Sequence, residues 1–106
     1  MDVEQANELN RLREKIQEID KEMVRLFEAR MECAGQVAQY KIAHDLPVLN
    51  SEVEKRKMEE LAMMVPEQYR ESLKQLYACI FALSREHQER LIRKETGSDR
   101  RDCDET

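Results

Sequence analysis

Five polar residues occupy positions where the surrounding helical pattern calls for apolar ones. Each is reached by extending an apolar series in steps of three and four residues. They are Arg30, Lys41, Glu54, Ser84 and Gln88. Burying an unpaired cation is costly, so a group of cations with a carboxylate, a hydroxyl and an amide predicts an anion-binding pocket inside a helical bundle. The excess of cations favours a ligand with more than one carboxylate or phosphate.

Arginine is the cation best suited to a planar carboxylate, because its guanidinium donates two parallel hydrogen bonds. Arg30 interrupts the first series, and Arg13 lies at its edge beside Leu12. Each polar residue also has an ordinary alternative role when taken singly. A cation at the edge of a seam reaches water along its own stem, Ser84 lines a helix, and Gln88 sets the register of a packed pair.

These side chains must be positioned by long helices, because the chain has only 2 Gly and 2 Pro in 106 residues. One helical pattern runs from about residue 7 to residue 44. Its apolar members are Leu9, Leu12, Ile16, Ile19, Met23, Leu26, Cys33 and Val37. A helix of this length spans about 57 Å, more than a small domain can cover, so the pattern predicts a second subunit against it.

The pattern breaks at Pro47, which has no amide hydrogen and disfavours helix at the preceding residue. A second helix is predicted to begin near Asn50 or Ser51, either of which can cap it, and to end before Pro66. A third follows Pro66. The helical domain is expected over residues 1–95, with a polar, disordered tail over 96–106. The predicted fold is therefore all-α, a protomer of three helices with one long N-terminal helix.

Several kinds of chemistry are disfavoured. His44 and His87 lack metal-ligand spacing, so no metal is expected, and the chain has no glycine-rich phosphate loop. Ser84 and His87 are three residues apart, but no acid or oxyanion feature supports a nucleophile pair, and His87 is predicted to face the surface. The net charge of −5 argues against nucleic acid as a partner.

The expected location is the cytoplasm. Cys33, Cys79 and Cys103 are odd in number and lack CxxC spacing, which favours reduced thiols, two of them packed in helices. The first ten residues have neither a basic nor an apolar segment typical of a signal peptide. No apolar run approaches the length of a membrane span, so no membrane association is expected.

From about Leu9 to Leu91 the chain resembles the all-helical, bacterial-type chorismate mutases. Short segments carry the likeness, and their order and spacing together are more specific than any one of them. They are Leu12-Arg13-Glu14-Lys15-Ile16, Ile19-Asp20, Glu28-Ala29-Arg30, Lys41, Leu46-Pro47-Val48, Glu54, and Ser84 with Gln88. The resemblance implies an intertwined homodimer that rearranges chorismate to prephenate without a cofactor, in phenylalanine and tyrosine biosynthesis.

The resemblance also assigns roles to single residues. Arg13 from the partner subunit and Arg30 from the same protomer would hold the two carboxylates of chorismate. Lys41 and Gln88 would hydrogen-bond the ether oxygen. Glu54 would lie near the ring hydroxyl, and Ser84 and Asn50 would also contact the substrate.

The second helix departs from the family pattern. Asn50 stands where the family commonly has aspartate, and Val53 where it has arginine. Arg56, one turn on, is the candidate to compensate. The departure keeps three alternatives open: an isochorismate-pyruvate lyase on the same fold, a weakly active or inactive mutase-like regulatory module, and a helical module that binds another protein.

Overall fold

The computed structural model describes residues 3–48 and 50–96, without the side chain of Thr96. In these ranges the elements are three helices, α1 (Val3–His44), α2 (Ser51–Ala62) and α3 (Glu67–Thr96). The prediction of three helices with a long first one is confirmed, although α1 begins four residues before the predicted residue 7. The predicted tail over residues 96–106, with Cys103, lies outside the described residues except for the backbone of Thr96.

The chain divides into two compact units, residues 1–32 and residues 33–106, called here the N-terminal and C-terminal units. The described part of the N-terminal unit is a stretch of α1 with an exposed apolar stripe. The stripe comprises Leu12, Ile16, Ile19, Met23 and Leu26, which are 49–58% exposed. These large side chains recur every three or four residues, so they form one continuous face of the helix.

Charged side chains on the N-terminal unit pair along the helix. Lys21 donates to Glu18 over 3.3 Å, and Arg25 forms a two-point ion pair with Glu22. The hydrogen bond from Arg25 and its positive charge lower the pKa of Glu22 below the ordinary value. Exposed pairs of this spacing stabilise a helix only weakly, so they do not replace a core.

The C-terminal unit has a small core at which α1 meets α3 and α2 packs on α3. Its buried apolar residues are Ala34, Ala38, Ala62 and Phe81. Leu91 Cδ1 and His87 Nε2 lie only 3.4 and 3.5 Å from where a Cβ at Gly35 would stand. Small residues on α1 therefore allow side chains of α3 to approach its backbone.

Side-chain placement in the single chain differs from the prediction at three points. Cys33 and Val37 are exposed, and the buried face of α1 in the C-terminal unit runs through Ala34 and Ala38 instead. The apolar pattern favoured the larger residues, whereas close helix packing selects the smaller ones. Cys79 lies in a helix as expected but is also exposed, and His87 is half-buried beside Gly35 rather than on the surface.

Both links between helices have defined ends. At the end of α1, Asp45 adopts a left-handed conformation with a φ of 55°. The amide of Asp45 donates to the carbonyl of Ile42 and that of Leu46 to the carbonyl of Lys41, the two bonds of a Schellman cap. At the end of α2, Arg70 Nε donates to the carbonyl of Ala62 over 3.2 Å, which ties the start of α3 to that end.

Candidate active site

Lys41 and Gln88 meet in the C-terminal unit. Lys41, near the end of α1, donates from Nζ to Oε1 of Gln88 on α3 over 3.2 Å. Gln88 is 8% exposed and Lys41 is half-buried. Because the amide oxygen faces the ammonium, the amide nitrogen of Gln88 is directed away as a hydrogen-bond donor. The pair therefore offers a charged and a neutral donor close together.

The link after α1 holds Lys41 both at its backbone and at the end of its side chain. The carbonyl of Lys41 accepts from Leu46 in the helix cap, and its ammonium donates to the carbonyl of Val48 over 2.7 Å. An ammonium has three donors, so these two acceptors leave one for another group. Holding a cation in place before a ligand arrives is what electrostatic catalysis requires.

A polar stripe on α3 continues from Gln88. Ser84 lies one turn earlier and is 7% exposed, next to the buried ring of Phe81. Spacings of three and four residues place Phe81, Ser84 and Gln88 on one helical face. The burial of a hydroxyl and an amide at positions 84 and 88 agrees with the interrupted apolar series in the sequence.

Glu54 is held by a residue that the sequence did not single out. Its Oε1 accepts from Nη1 of Arg85 over 2.5 Å, and the two side chains are 27% and 30% exposed. The ion pair joins the first turn of α2 to α3, adjacent to Ser84. No sequence signal identified Arg85, because it lies one position beside the apolar series.

Asn50 has a structural role at the start of α2. Its Oδ1 accepts from the amide of Val53 over 3.2 Å, and its carbonyl accepts from the amide of Glu54. Of the two predicted caps, Asn50 and Ser51, Asn50 is the one used. Such a cap contributes roughly 1 kcal/mol to helix stability and fixes the turn that carries Glu54. Its amide nitrogen remains as a donor.

Glu54 and Arg85 line a groove of about 490 Å³ between α2 and α3. Lys55 and Lys74 add two cations to the lining, Glu59 adds a second carboxylate, and Phe81 and Met58 add apolar surface. Arg56, the predicted compensation for Val53, is exposed and does not line the groove. In this groove the additional cations come from Lys55 and from α3 instead.

The two arginines predicted to bind carboxylates lie in the N-terminal unit. Arg13 is exposed beside a shallow depression of about 330 Å³ formed with Asn10, Glu14 and Gln17. Arg30 is half-buried. The two are on one helix and about 25 Å apart along its axis. They are not brought together within this unit.

These features suit the binding of an anion. Lys41, Gln88 and Ser84 supply donors, and Arg85 balances the carboxylate of Glu54. Among the residues that the structure describes, no cluster of His, Cys, Asp and Glu has the arrangement of a metal site.

The sequence model of the chorismate mutase type II family matches residues 12–89. This chain belongs to that family. The match runs from the start of the exposed apolar stripe on α1 to one residue beyond Gln88, so it includes every site residue that the sequence predicts. No curated protein and no solved structure gives a significant match to the chain.

Membership of the chorismate mutase type II family provides the basis for interpreting the site. The resemblance drawn from the sequence is confirmed at the level of the family. On the wall formed by α2, position 53 is a valine, and the next residue is Glu54, which pairs with Arg85. Within the described helices, no segment combines the length and apolarity needed to cross a membrane.

Proposed function

We propose that this protein is a chorismate mutase, an isomerase that converts chorismate to prephenate. The observation that carries the proposal is the paired Lys41 and Gln88, one cation and one neutral donor at a largely buried position. Family membership supports the same reaction. We place it in phenylalanine and tyrosine biosynthesis in the cytoplasm, where exposed thiols such as Cys33 and Cys79 stay reduced.

The reaction makes two demands on the site. The ether bond of chorismate breaks while a carbon–carbon bond forms within the same molecule, so the enolpyruvyl arm must be held over the ring. Negative charge also grows on the ether oxygen and must be stabilised there. No proton transfer, metal or cofactor is needed. Donors held rigidly in place can therefore account for the catalysis.

Lys41 and Gln88 suit the second demand. The ammonium of Lys41 is anchored by the carbonyl of Val48, and its bond to Oε1 of Gln88 leaves the amide nitrogen as a donor. Both groups would then donate to the ether oxygen. Ser84, buried one turn away, would donate to a carboxylate, and the nitrogen of Asn50 would add a contact from α2.

Arg13 and Arg30 suit the first demand, but only in a homodimer. Along α1 they are about 25 Å apart, farther than the two carboxylates of chorismate can span. We therefore propose that Arg30 of one protomer and Arg13 of a second copy hold one substrate molecule. The exposed stripe from Leu12 to Leu26 supports this arrangement, because a second copy of the same stripe would cover it.

The test is the disappearance of chorismate with purified protein. We expect wild type to consume chorismate, and Lys41→Ala to turn it over at least ~10²-fold more slowly, the cost of removing one preorganised donor. Lys94→Ala, which removes an exposed lysine of α3, is the matched control and should behave as wild type. Equal rates for Lys41→Ala and wild type would refute the site assignment.

A second candidate is an isochorismate-pyruvate lyase on the same fold, favoured by Val53 in place of the family arginine. The substrates separate the two activities. Loss of isochorismate with release of pyruvate, without loss of chorismate, would identify the lyase. Loss of neither substrate would instead favour a regulatory or protein-binding role.

A further inference from the structure

The ion pair between Glu54 and Arg85 links residues 31 positions apart on two different helices. Both side chains are about 70% covered, and both line the groove between α2 and α3. The resemblance drawn from the sequence gives a role to Glu54 but none to Arg85. The position of this arginine is therefore a property of this chain that its own structure makes visible.

Arg85 lies at the edge of the polar face of α3. Ser84 is its neighbour in sequence, and Gln88 follows three residues later, so all three side chains fall within about 100° around the helix axis. Gln88 contacts Lys41 of α1, whereas Arg85 contacts Glu54 of α2. The face between them is where the proposed substrate would bind.

A carboxylate in an anion site raises an electrostatic difficulty. An unpaired Glu54 would repel a ligand with two carboxylates. The guanidinium of Arg85 balances the charge of Glu54. The ion pair joins Nη1 to Oε1, so Oε2 is left to accept a hydrogen bond.

We propose that Arg85 is a positioning residue that acts through Glu54. It orients the carboxylate so that Oε2 accepts the hydroxyl of a dianionic ligand, and it cancels a charge that would otherwise oppose that ligand. The proposal rests on the proposed function, in which the ligand is chorismate with its ring hydroxyl. In this arrangement α3 supplies a cation close to Val53 on α2, where the resemblance implies an arginine.

A double-mutant cycle tests this role. Arg85→Met should raise the KM for chorismate about tenfold, equivalent to 1.4 kcal/mol of binding, with a smaller change in kcat. In a Glu54→Gln background the same substitution should change KM less than about twofold, because its route to the ligand is gone. Arg85→Lys, which keeps the charge, should restore most of the affinity.

The matched control is Arg90→Met, which removes an exposed arginine of the same helix and should leave KM unchanged. Arg85→Gln replaces Arg85→Met if the methionine variant does not fold. An equal rise in KM with and without Glu54 would show direct contact with the ligand and overturn the proposal. A lower melting temperature with unchanged KM would reduce Arg85 to a structural residue and also overturn it.

Stabilisation by chorismate separates this proposal from the proposed function. A native-state ligand raises the melting temperature whether or not it reacts. Wild type that is stabilised by chorismate but does not rearrange it refutes the mutase function alone, and the cycle is then scored on the thermal shift. Wild type that neither binds nor rearranges chorismate refutes both.

Discussion

The two units depart in opposite ways from the usual distribution of apolar residues inside and polar residues outside. The N-terminal unit exposes large apolar side chains, with Ile16 and Ile19 each 58% accessible. The C-terminal unit buries polar ones, with Ser84 and Gln88 at 7% and 8%. An exposed apolar stripe favours a cover from outside the chain, and the Lys41–Gln88 pair presents further hydrogen-bond donors, so each unit indicates a counterpart outside the chain. We infer that the counterpart is a second copy for the first unit and an anionic ligand for the second.

The largest effect is expected from a charge placed in the apolar stripe, which tests whether a second copy covers it. Ile19→Asp puts a carboxylate into the proposed interface twice, because a twofold contact repeats every substitution. With a cost of roughly 3 kcal/mol or more for an unpaired buried charge, we expect dimer association to fall at least ~10³-fold. Sedimentation velocity should show monomers, and mutase activity should disappear with the dimer.

Lys21→Asp is the matched control for Ile19→Asp. It introduces the same aspartate on the opposite side of α1 and breaks only an exposed ion pair with Glu18. Such pairs contribute little to stability, so the variant should remain dimeric and active. A wild-type protein that sediments as an active monomer would show that the stripe has another use.

The second prediction concerns the buried polar face. Gln88→Met keeps the length of the side chain but removes its donor, so kcat should fall roughly 10²-fold. The melting temperature should stay the same or rise, because an apolar side chain suits a buried position and Lys41 keeps the carbonyl of Val48. Stopped-flow or steady-state turnover and a thermal melt measure the two effects separately.

Gln75→Met, at an exposed glutamine on the same helix, provides the control and should change neither quantity. A large loss of stability with unchanged turnover would mean that Gln88 is kept for folding. In that case the buried amide would have a structural explanation, and the C-terminal unit would no longer indicate an anionic ligand.

The helices follow from the sequence more directly than the contacts between them. Pro47, Pro66 and the periodic apolar residues predict three helices, and Asn50 is one of two predicted caps for α2. The buried face of α1 was misplaced, because Ala34 and Ala38 carry little hydrophobic signal although their small size permits close packing. The apolar pattern describes one helix at a time, whereas packing depends on the side chains of two helices.

The polar residues show the same limit. Gln88 and Ser84 interrupt an apolar series, so the sequence alone marks them for the interior. Arg85 interrupts nothing, and its pairing with Glu54 depends on how α2 lies against α3. The carbonyl of Val48 carries no side-chain signal at all, yet it helps to anchor Lys41. Groups that act through tertiary geometry are the ones that the sequence cannot reveal.

The smallest effect is expected from a substitution at Val53, on α2. Val53→Arg adds a cation to the first turn of α2, next to Glu54, where the resemblance to the chorismate mutases implies an arginine. One charge-assisted hydrogen bond to a substrate carboxylate is worth about tenfold in affinity, so kcat/KM for chorismate should rise by up to that factor. Val53→Met supplies an unbranched side chain without the charge and should give no gain. The rise should be larger when Arg85→Met is present, because the charge of Glu54 is then unbalanced and the added cation on α2 can offset it. No gain in the wild-type background together with a gain in the Arg85→Met background would mean that Arg85 already meets the need of this site for a second cation, whereas no change in either background would mean that Val53 is not a defect.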